Sequence, residues 1–324
     1  MNDRYARQRV LPQVGAEGQS RLAGAALLVV GAGGLGCAVL PYLAAAGVGR
    51  LTVIDHDRVE ESNLHRQPLY RVSDLGALKV HAAAAALRAL NPEVVIEACA
   101  ARLDAANARR LVAAADVVID CADSFAVTYV LSDACQLAAR PLVSASVLGL
   151  AGYVGAFCGG GPSYRAVFPE LPRAAGSCAA SGVLGTAVGV LGTLQAHLVL
   201  GLLLDWQPPV LSRLMSLDLR TLHVGDFSFA AAAEPAGPLL AFITPGELRA
   251  DDIVIDLRSA SEAPATALPG ALRERLEDLE SGARQFPPAA RLVLCCRSGV
   301  RAWRAARALQ RQGHGSLALI ALGG

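Results

Sequence analysis

The sequence of 324 residues has almost no excess of one charge: 29 Lys and Arg face 28 Asp and Glu, a formal net charge of +1. A basic field of the kind that recruits nucleic acid or an anionic membrane is excluded, so an anionic ligand has to be held by a local cluster. The Walker A signature G-K-[ST] is missing, which excludes a P-loop nucleotide site. The N-terminal "MNDRYARQRV" has no apolar run, which argues against a secretory signal and for a cytoplasmic protein. The eight cysteines, at 37, 99, 121, 135, 158, 178, 295 and 296, are scattered and do not read as a disulfide framework.

What is present is apolar and periodic. Mean hydropathy is +0.41, and "VLGTAVGVLGTLQAHLVLGLLLDW" (183–206) nearly reaches transmembrane length. Its glycines, Gln195, His197 and the lack of basic flanks predict a helix buried in a core or a subunit interface, not a membrane span. "ALLVVGAGGLGCAVLPYLAAAGVGRLTVID" (26–55) reads as strand, glycine turn, helix and strand, a βαβ unit that predicts a parallel sheet. The alternation continues to about residue 230, then an Ala/Pro/Gly stretch suits a linker, and a smaller α/β pattern restarts. The expected organisation is an α/β chain: a doubly wound, Rossmann-like domain over 1–230, a linker over 231–239 and a small α/β domain over 240–324.

Gly31, Gly33, Gly34 and Gly36 form the glycine turn, with G-x-G-x-x-G spacing between a strand and a helix, where backbone N–H groups can approach a phosphate. Asp55 closes the second strand at a position suited to a ribose, and to this point a nicotinamide or flavin enzyme fits equally well. The stretch "DHDRVEESNLHRQPLYRVSDLGALK" then supplies Asp57, Asn63, Arg66, Gln67 and Lys79. A pyrophosphate held by backbone has little use for such side chains. A triphosphate attacked at its α-phosphorus does, because cations stabilise charge developing on the phosphoryl oxygens.

At these residues the chain resembles the adenylating enzymes of the ubiquitin-activating superfamily, in particular the bacterial molybdopterin-synthase and thiamine-pathway adenylyltransferases. "RYARQRVLPQVGAEGQ", "GAGGLG", "SNLHRQPLY", "DLGALK", "DCADSF" and "GSCAASGVLGTAVGVLGTLQA" occur in the family's order across about residues 4–225. The resemblance implies that Asp55 binds ribose, that Asn63, Arg66, Gln67 and Lys79 surround the triphosphate of ATP, and that Asp123 holds Mg²⁺. Arg7 would reach the nucleotide of the partner subunit in a homodimer. Relatives have D-N-x-x-T-R where this chain has Asp123, Ser124, Val127 and Thr128. Their zinc site uses two C-x-x-C pairs, and the first falls here on Ser163 and Ala166, so no structural zinc is expected. Cys178 occupies the position of a cysteine that bonds to the substrate protein or relays sulfur.

The second cysteine candidate is Cys296. "LVLCC" reads as a buried strand and "RAWRAARALQRQ" as a helix, so Cys296 to Arg301 spell a tight C-R-S-G-V-R loop at a helix N-terminus, suited to a thiolate or persulfide anion. Cys295 is expected to point into the core. This segment resembles the active loop of a rhodanese domain, and "IDLRSASE" resembles that family's early strand through Asp256, Arg258 and Glu262. Together the two resemblances imply an ATP-dependent activator of a small ubiquitin-like sulfur-carrier protein ending in Gly-Gly, with Cys296 loaded by a persulfide donor such as a cysteine desulfurase. The alternatives are a nucleotide-binding dimer that has lost adenylation, and an NAD-dependent oxidoreductase.

Overall fold

A computed structural model describes residues 4–171 and 182–323. Short apolar runs become parallel strands, buried at the centre of the sheet and partly exposed at its β3 edge: β1 (Ala26–Val30), β2 (Arg50–Ile54), β3 (Val95–Cys99), β4 (Val117–Asp120) and β5 (Pro141–Leu148). Three antiparallel strands extend them: β6 (Ala151–Cys158), β7 (Arg213–Asp218) and β8 (His223–Ser228), in the order β3-β2-β1-β4-β5-β6-β7-β8. The sequence reading did not find this antiparallel extension. β8 is mostly exposed and mixes polar with apolar residues, so neither an apolar run nor strict alternation marks it.

β1 has β2 on one side and β4 on the other, so the strand order reverses there and the carboxyl ends of β1 and β4 flank a crevice. One face of the sheet carries α3 (Gly34–Ala45), α4 (Lys79–Leu90) and α8 (Gly185–Leu203), and the other carries α5 (Ala105–Ala113) and α6 (Phe125–Leu137). α8 is long and apolar enough to cross a membrane, and here it packs along α3 with half of its apolar window buried. Shorter helices are α1 (Ala6–Arg9), α2 (Gly15–Gly24) and α7 (Tyr164–Val167).

The second sheet is wholly parallel, in the order β11-β10-β12-β13-β9: β9 (Ala241–Phe242), β10 (Ile253–Asp256), β11 (Leu272–Arg273), β12 (Leu292–Cys296) and β13 (Leu317–Ala321). It carries α9 (Leu276–Glu280) and α10 (Val300–Arg311), whose apolar stripe is Val300, Trp303, Ala306 and Leu309.

The Ala/Pro stretch joining the sheets is pinned rather than free. Glu234 accepts from the Ser163 N–H and hydroxyl, each at 2.6 Å, and the Leu240 carbonyl accepts from Arg165 at 3.1 Å. One apolar cluster runs from Tyr129 on α6 to Trp303 on α10, with ring centroids 5.0 Å apart. Arg165 is buried among them, bound at 2.6 and 2.8 Å to Asp133, with its guanidinium 4.6 Å from the Tyr129 ring and 5.4 Å from Trp303. A cation sandwiched between rings and matched by a carboxylate is satisfied although buried, so the two sheets share one core.

Candidate functional site

The glycine turn stands at the crevice. Gly31 has φ +98°, and a methyl there would lie 2.7 Å from the Cys121 carbonyl oxygen, so only glycine fits between β1 and β4. A methyl at Gly36 would overlap the Gly31 carbonyl oxygen, which is why α3 can start so close under the turn. Gly33 differs: among the described residues a methyl there would meet nothing nearer than Gln67 Nε2 at 3.8 Å. The backbone at Gly33 therefore borders open space and has Gln67 over it.

Asp55 is brought to this turn. Its Oδ2 accepts from the Ala32 N–H and its Oδ1 from the Asp57 N–H, both at 2.7 Å. Each oxygen keeps lone-pair capacity for a hydroxyl of a bound ribose. Asp57 pairs with Lys79, Nζ to Oδ2 at 2.8 Å. Burial raises the Asp57 carboxyl, but the Lys79 ammonium, as donor and as charge, holds it below the usual carboxylate range. Lys79 is the first residue of α4 and its side chain is only 7% exposed, so its charge sits inside the site.

Asn63 organises the rest. Its Oδ1 accepts from Arg66 Nη2 at 2.9 Å and from Gln67 Nε2 at 3.3 Å, while its amide donates to Glu60. Gln67 is 2% exposed, and its Oε1 is buried with no partner among the described residues, an acceptor open to a further donor. The predicted residues Gly31, Gly33, Gly34, Gly36, Asp55, Asp57, Asn63, Arg66, Gln67 and Lys79 thus form one group around the glycine turn. The ligand atoms of Asp55, His56 and Asp57 also lie within 4.8 Å of one another. Asp57 already serves Lys79 there.

Two predicted residues stand apart from this hydrogen-bond network. Asp123 is exposed just ahead of α6, in the turn whose Cys121 carbonyl touches Gly31. Arg7 is exposed on α1. Cys178 lies outside the described residues.

Sequence reasoning missed two anchors. The Tyr70 hydroxyl donates to the Ala32 carbonyl at 2.6 Å and locks the glycine turn from outside. Asp120, fully buried at the end of β4, accepts from the Thr128 and Ser144 hydroxyls at 2.7 and 2.9 Å and from the Ala122 N–H at 3.1 Å. Gln195 on α8 donates to the Asp120 and Val143 carbonyls. A carboxylate closing a strand of the pattern "VVID", with Thr128 eight residues on, was the available signal.

In the second sheet Cys295 and Cys296 point to opposite faces. Cys295 packs with Val293, Ala318 and Ile320, and burial pushes its thiol up to about 12. Cys296 joins the core shared between the sheets. It is as buried as Cys295, at 0% exposure, so burial does not distinguish the two. What separates them is the loop: the Gly299 N–H donates to Cys296 Sγ at 3.1 Å. Arg301 bonds Glu262 at 2.5 Å and the Leu257 carbonyl at 2.9 Å, and its basicity is raised first by Glu262 and further by the Cys296 sulfur. Arg258 pairs with Asp256 at 2.9 Å. The residues of "IDLRSASE" therefore brace the loop that begins at Cys296. Ser163, expected from the family resemblance to fall on a zinc-cysteine position, caps α7 and binds Glu234.

Chemically, the first group offers a backbone cradle, a carboxylate for vicinal hydroxyls and two cations, an arrangement that fits a nucleoside triphosphate. The second offers a sulfur with a backbone donor and a guanidinium close by.

The ThiF family pattern matches residues 5–237. Over 227 residues the chain is 53% identical to the adenylyltransferase and sulfurtransferase MOCS3 of Bos taurus, covering 69% of this chain and 49% of that protein. It is 46% identical over 224 residues to the sulfur carrier protein adenylyltransferase of Thermus thermophilus, covering 67% and 83%. The chain thus spans about half the length of the bovine relative. Among solved structures, that of Escherichia coli MccB with ATP superposes with a TM-score of 0.62 at 21% identity, covering 71% and 72% of the two chains, a likeness of fold.

Proposed function

The chain belongs to the ThiF family, and from that premise we propose that it spends ATP to activate the C-terminal carboxylate of a small ubiquitin-like sulfur-carrier protein and then delivers sulfur to it from Cys296. The observation that carries the reading is the group around the glycine turn: Lys79 paired with Asp57 next to Asp55, Arg66 and Gln67 both bonded to Asn63 Oδ1, and a buried Gln67 Oε1 with no partner among the described residues. The carrier's carboxylate oxygen attacks the α-phosphorus, the bond to the bridging oxygen breaks, and pyrophosphate leaves. Arg66 and Lys79 stabilise the charge that builds on the phosphoryl oxygens and the leaving group. Asp55 fixes the ribose and the backbone at Gly33 approaches the phosphates. Asp123 is assigned to Mg²⁺, which when bound would supply further charge neutralisation, and Arg7 is assigned to the partner subunit's nucleotide in a homodimer.

The sulfur step follows from the loop at Cys296. A persulfide formed there by an external donor attacks the acyl carbon through its terminal sulfur, and AMP leaves with the electron pair of the broken C–O bond. A thiol then attacks the inner sulfur, releasing the thiocarboxylate and leaving a mixed disulfide that a second thiol reduces. Cys178 is proposed to relay the acyl group.

Exchange of labelled pyrophosphate into ATP, dependent on a carrier protein ending in Gly-Gly, tests the first half. Cys296→Ala is expected to keep that exchange and lose thiocarboxylate formation. Nucleotide binding without exchange for every carrier tried would refute adenylation.

A further inference from the structure

The segment Ala321–Gly323 lies between the cysteine loop and the first sheet. On one side the Leu322 N–H donates to the Cys296 carbonyl at 3.0 Å and the Gly323 N–H to the Arg297 carbonyl at 2.9 Å. On the other, Arg102 donates from Nη1 to the Leu322 carbonyl at 2.8 Å and from Nη2 to the Ala321 carbonyl at 3.1 Å. One peptide unit thus separates the Arg102 guanidinium from the backbone of Cys296 itself.

Arg102 belongs to the edge that carries the nucleotide-type site. It lies in the loop after β3, where the Cys99 carbonyl accepts from the Asp55 N–H at 3.2 Å. Its own carbonyl accepts from Asn107 at 2.8 Å, and Asn107 with Asp104 caps α5, so the backbone at Arg102 is fixed. A cleft of about 150 Å³ opens beside it, walled by Ala126 and Val127 in the first turn of α6 and by Phe242 and Leu322. The turn holding Asp123 leads into that first wall. Phe242 packs against Gly299 of the cysteine loop on the other.

We propose that Arg102 is a positioning residue for sulfur delivery, clamping the end of β13, and through it the Cys296 loop, to the edge of the first sheet that carries Asp55 and Asp123. The inference rests on the sulfur-transfer reading for its consequence, and on the hydrogen bonds alone for its geometry. Arg102 touches neither nucleotide-site side chain nor thiol. Its loss should leave pyrophosphate exchange and persulfide loading of Cys296 in place and impair the step that needs both at once.

Three variants test this in the full chain. Arg102→Ala removes both donors, and Arg102→Lys keeps a charge that can serve a carbonyl. Gly323→Ala would push a methyl into the Arg102 guanidinium and displace it with its charge intact. Alkylation of Cys296 by iodoacetamide, followed by mass spectrometry, should accelerate about tenfold in Arg102→Ala and in Gly323→Ala, the factor for loss of one hydrogen bond to a charged group, and less in Arg102→Lys. Thiocarboxylate formation should fall by about the same factor with exchange unchanged. Alkylation at the parent rate in both Arg102→Ala and Gly323→Ala, or exchange falling in step with thiocarboxylate, overturns the proposal. Should the parent chain show no carrier-dependent exchange, the proposed function fails by itself, and the alkylation rates still decide whether the clamp exists.

Discussion

The ammonium of Lys79 lies 2.8 Å from the Asp57 carboxylate, and the Lys79 N–H donates to the Asp57 carbonyl at 2.9 Å, so both ends of this residue are tied to the same partner. The helix dipole of α4 disfavours a cation at its first residue, and Asp57 offsets that cost. Lys79→Met should lower pyrophosphate exchange by about 10²–10³, the loss typical of removing one group that meets transition-state charge, with a native far-UV spectrum. Asp57→Ala should act on stability instead. It leaves Lys79 buried without its partner and costs about 1–2 kcal/mol, less than for a fully buried pair because Asp57 is half exposed. Urea melts separate the two effects; equal activity losses without any stability difference would contradict the assignment.

Two glycines three residues apart, Gly33 and Gly36, should respond differently to one methyl. Gly36→Ala has no room, because the Gly31 carbonyl fills the space, and the protein is expected to lose both folding yield and nucleotide binding. Gly33→Ala has a negative φ of −79° and open space for the methyl, though its ψ of −149° lies just outside the extended range, so it should fold with a modest drop in melting temperature while weakening binding of ATP. Calorimetry of unfolding and titration with nucleotide check both halves. A Gly33→Ala protein that binds ATP as the parent does would remove this turn from the site.

The contrast between these glycines shows what was legible in the sequence. Their spacing between an apolar run and an Ala/Leu helix announced the turn, and the charged stretch after Asp55 announced its companions, because both are local patterns. Asp120 was not legible as an anchor. Its partners Thr128, Ser144 and the Ala122 N–H come from a helix, a strand and a turn that meet only in the folded chain. The same holds for Arg102, whose contacts are 219 and 220 residues away. The stretch read as a linker has a linker's composition, and Glu234 within it is pinned by a contact 71 residues distant. "LVLCC" was legible as a buried strand, but not that the Cys296 face belongs to a core reaching the first sheet, because that core is assembled from distant elements.

A core continuous across both sheets predicts one unfolding transition for the parent chain. Trp303 is the residue most exposed to test, since it meets Tyr129, Phe242 and the Arg165 guanidinium and donates to Glu170 at 3.4 Å. Trp303→Ala should cost about 3–5 kcal/mol as a large-to-small change in a packed core. It should also split the calorimetric transition in two, as the sheets lose the ring that joins them. A single transition shifted to lower temperature would mean that Arg165 and the pinned Glu234 suffice to couple the sheets.

Asp120 gives a pH dependence with a definite sign. Burial raises its carboxyl to about 6, and the hydrogen bonds from Thr128, Ser144 and Ala122 keep it from rising further. In the unfolded chain it titrates near its ordinary value of 3.8. Between these limits the folded state binds more protons than the unfolded state, so this group makes stability fall as pH rises from about 4 to about 6 and then level off. The size is at most ~3 kcal/mol, from about two pH units at about 1.4 kcal/mol each. Asp120→Asn removes the titration. Its amide faces the Ala122 N–H and costs some stability at every pH, so the comparison must be of slopes. Urea melts at pH 4, 5, 6 and 7 should show the parent losing stability relative to Asp120→Asn across that window and running parallel to it above pH 6. Parallel curves throughout would mean that Asp120 stays ionised in the folded protein even at pH 4, held by its hydrogen bonds more strongly than burial opposes them.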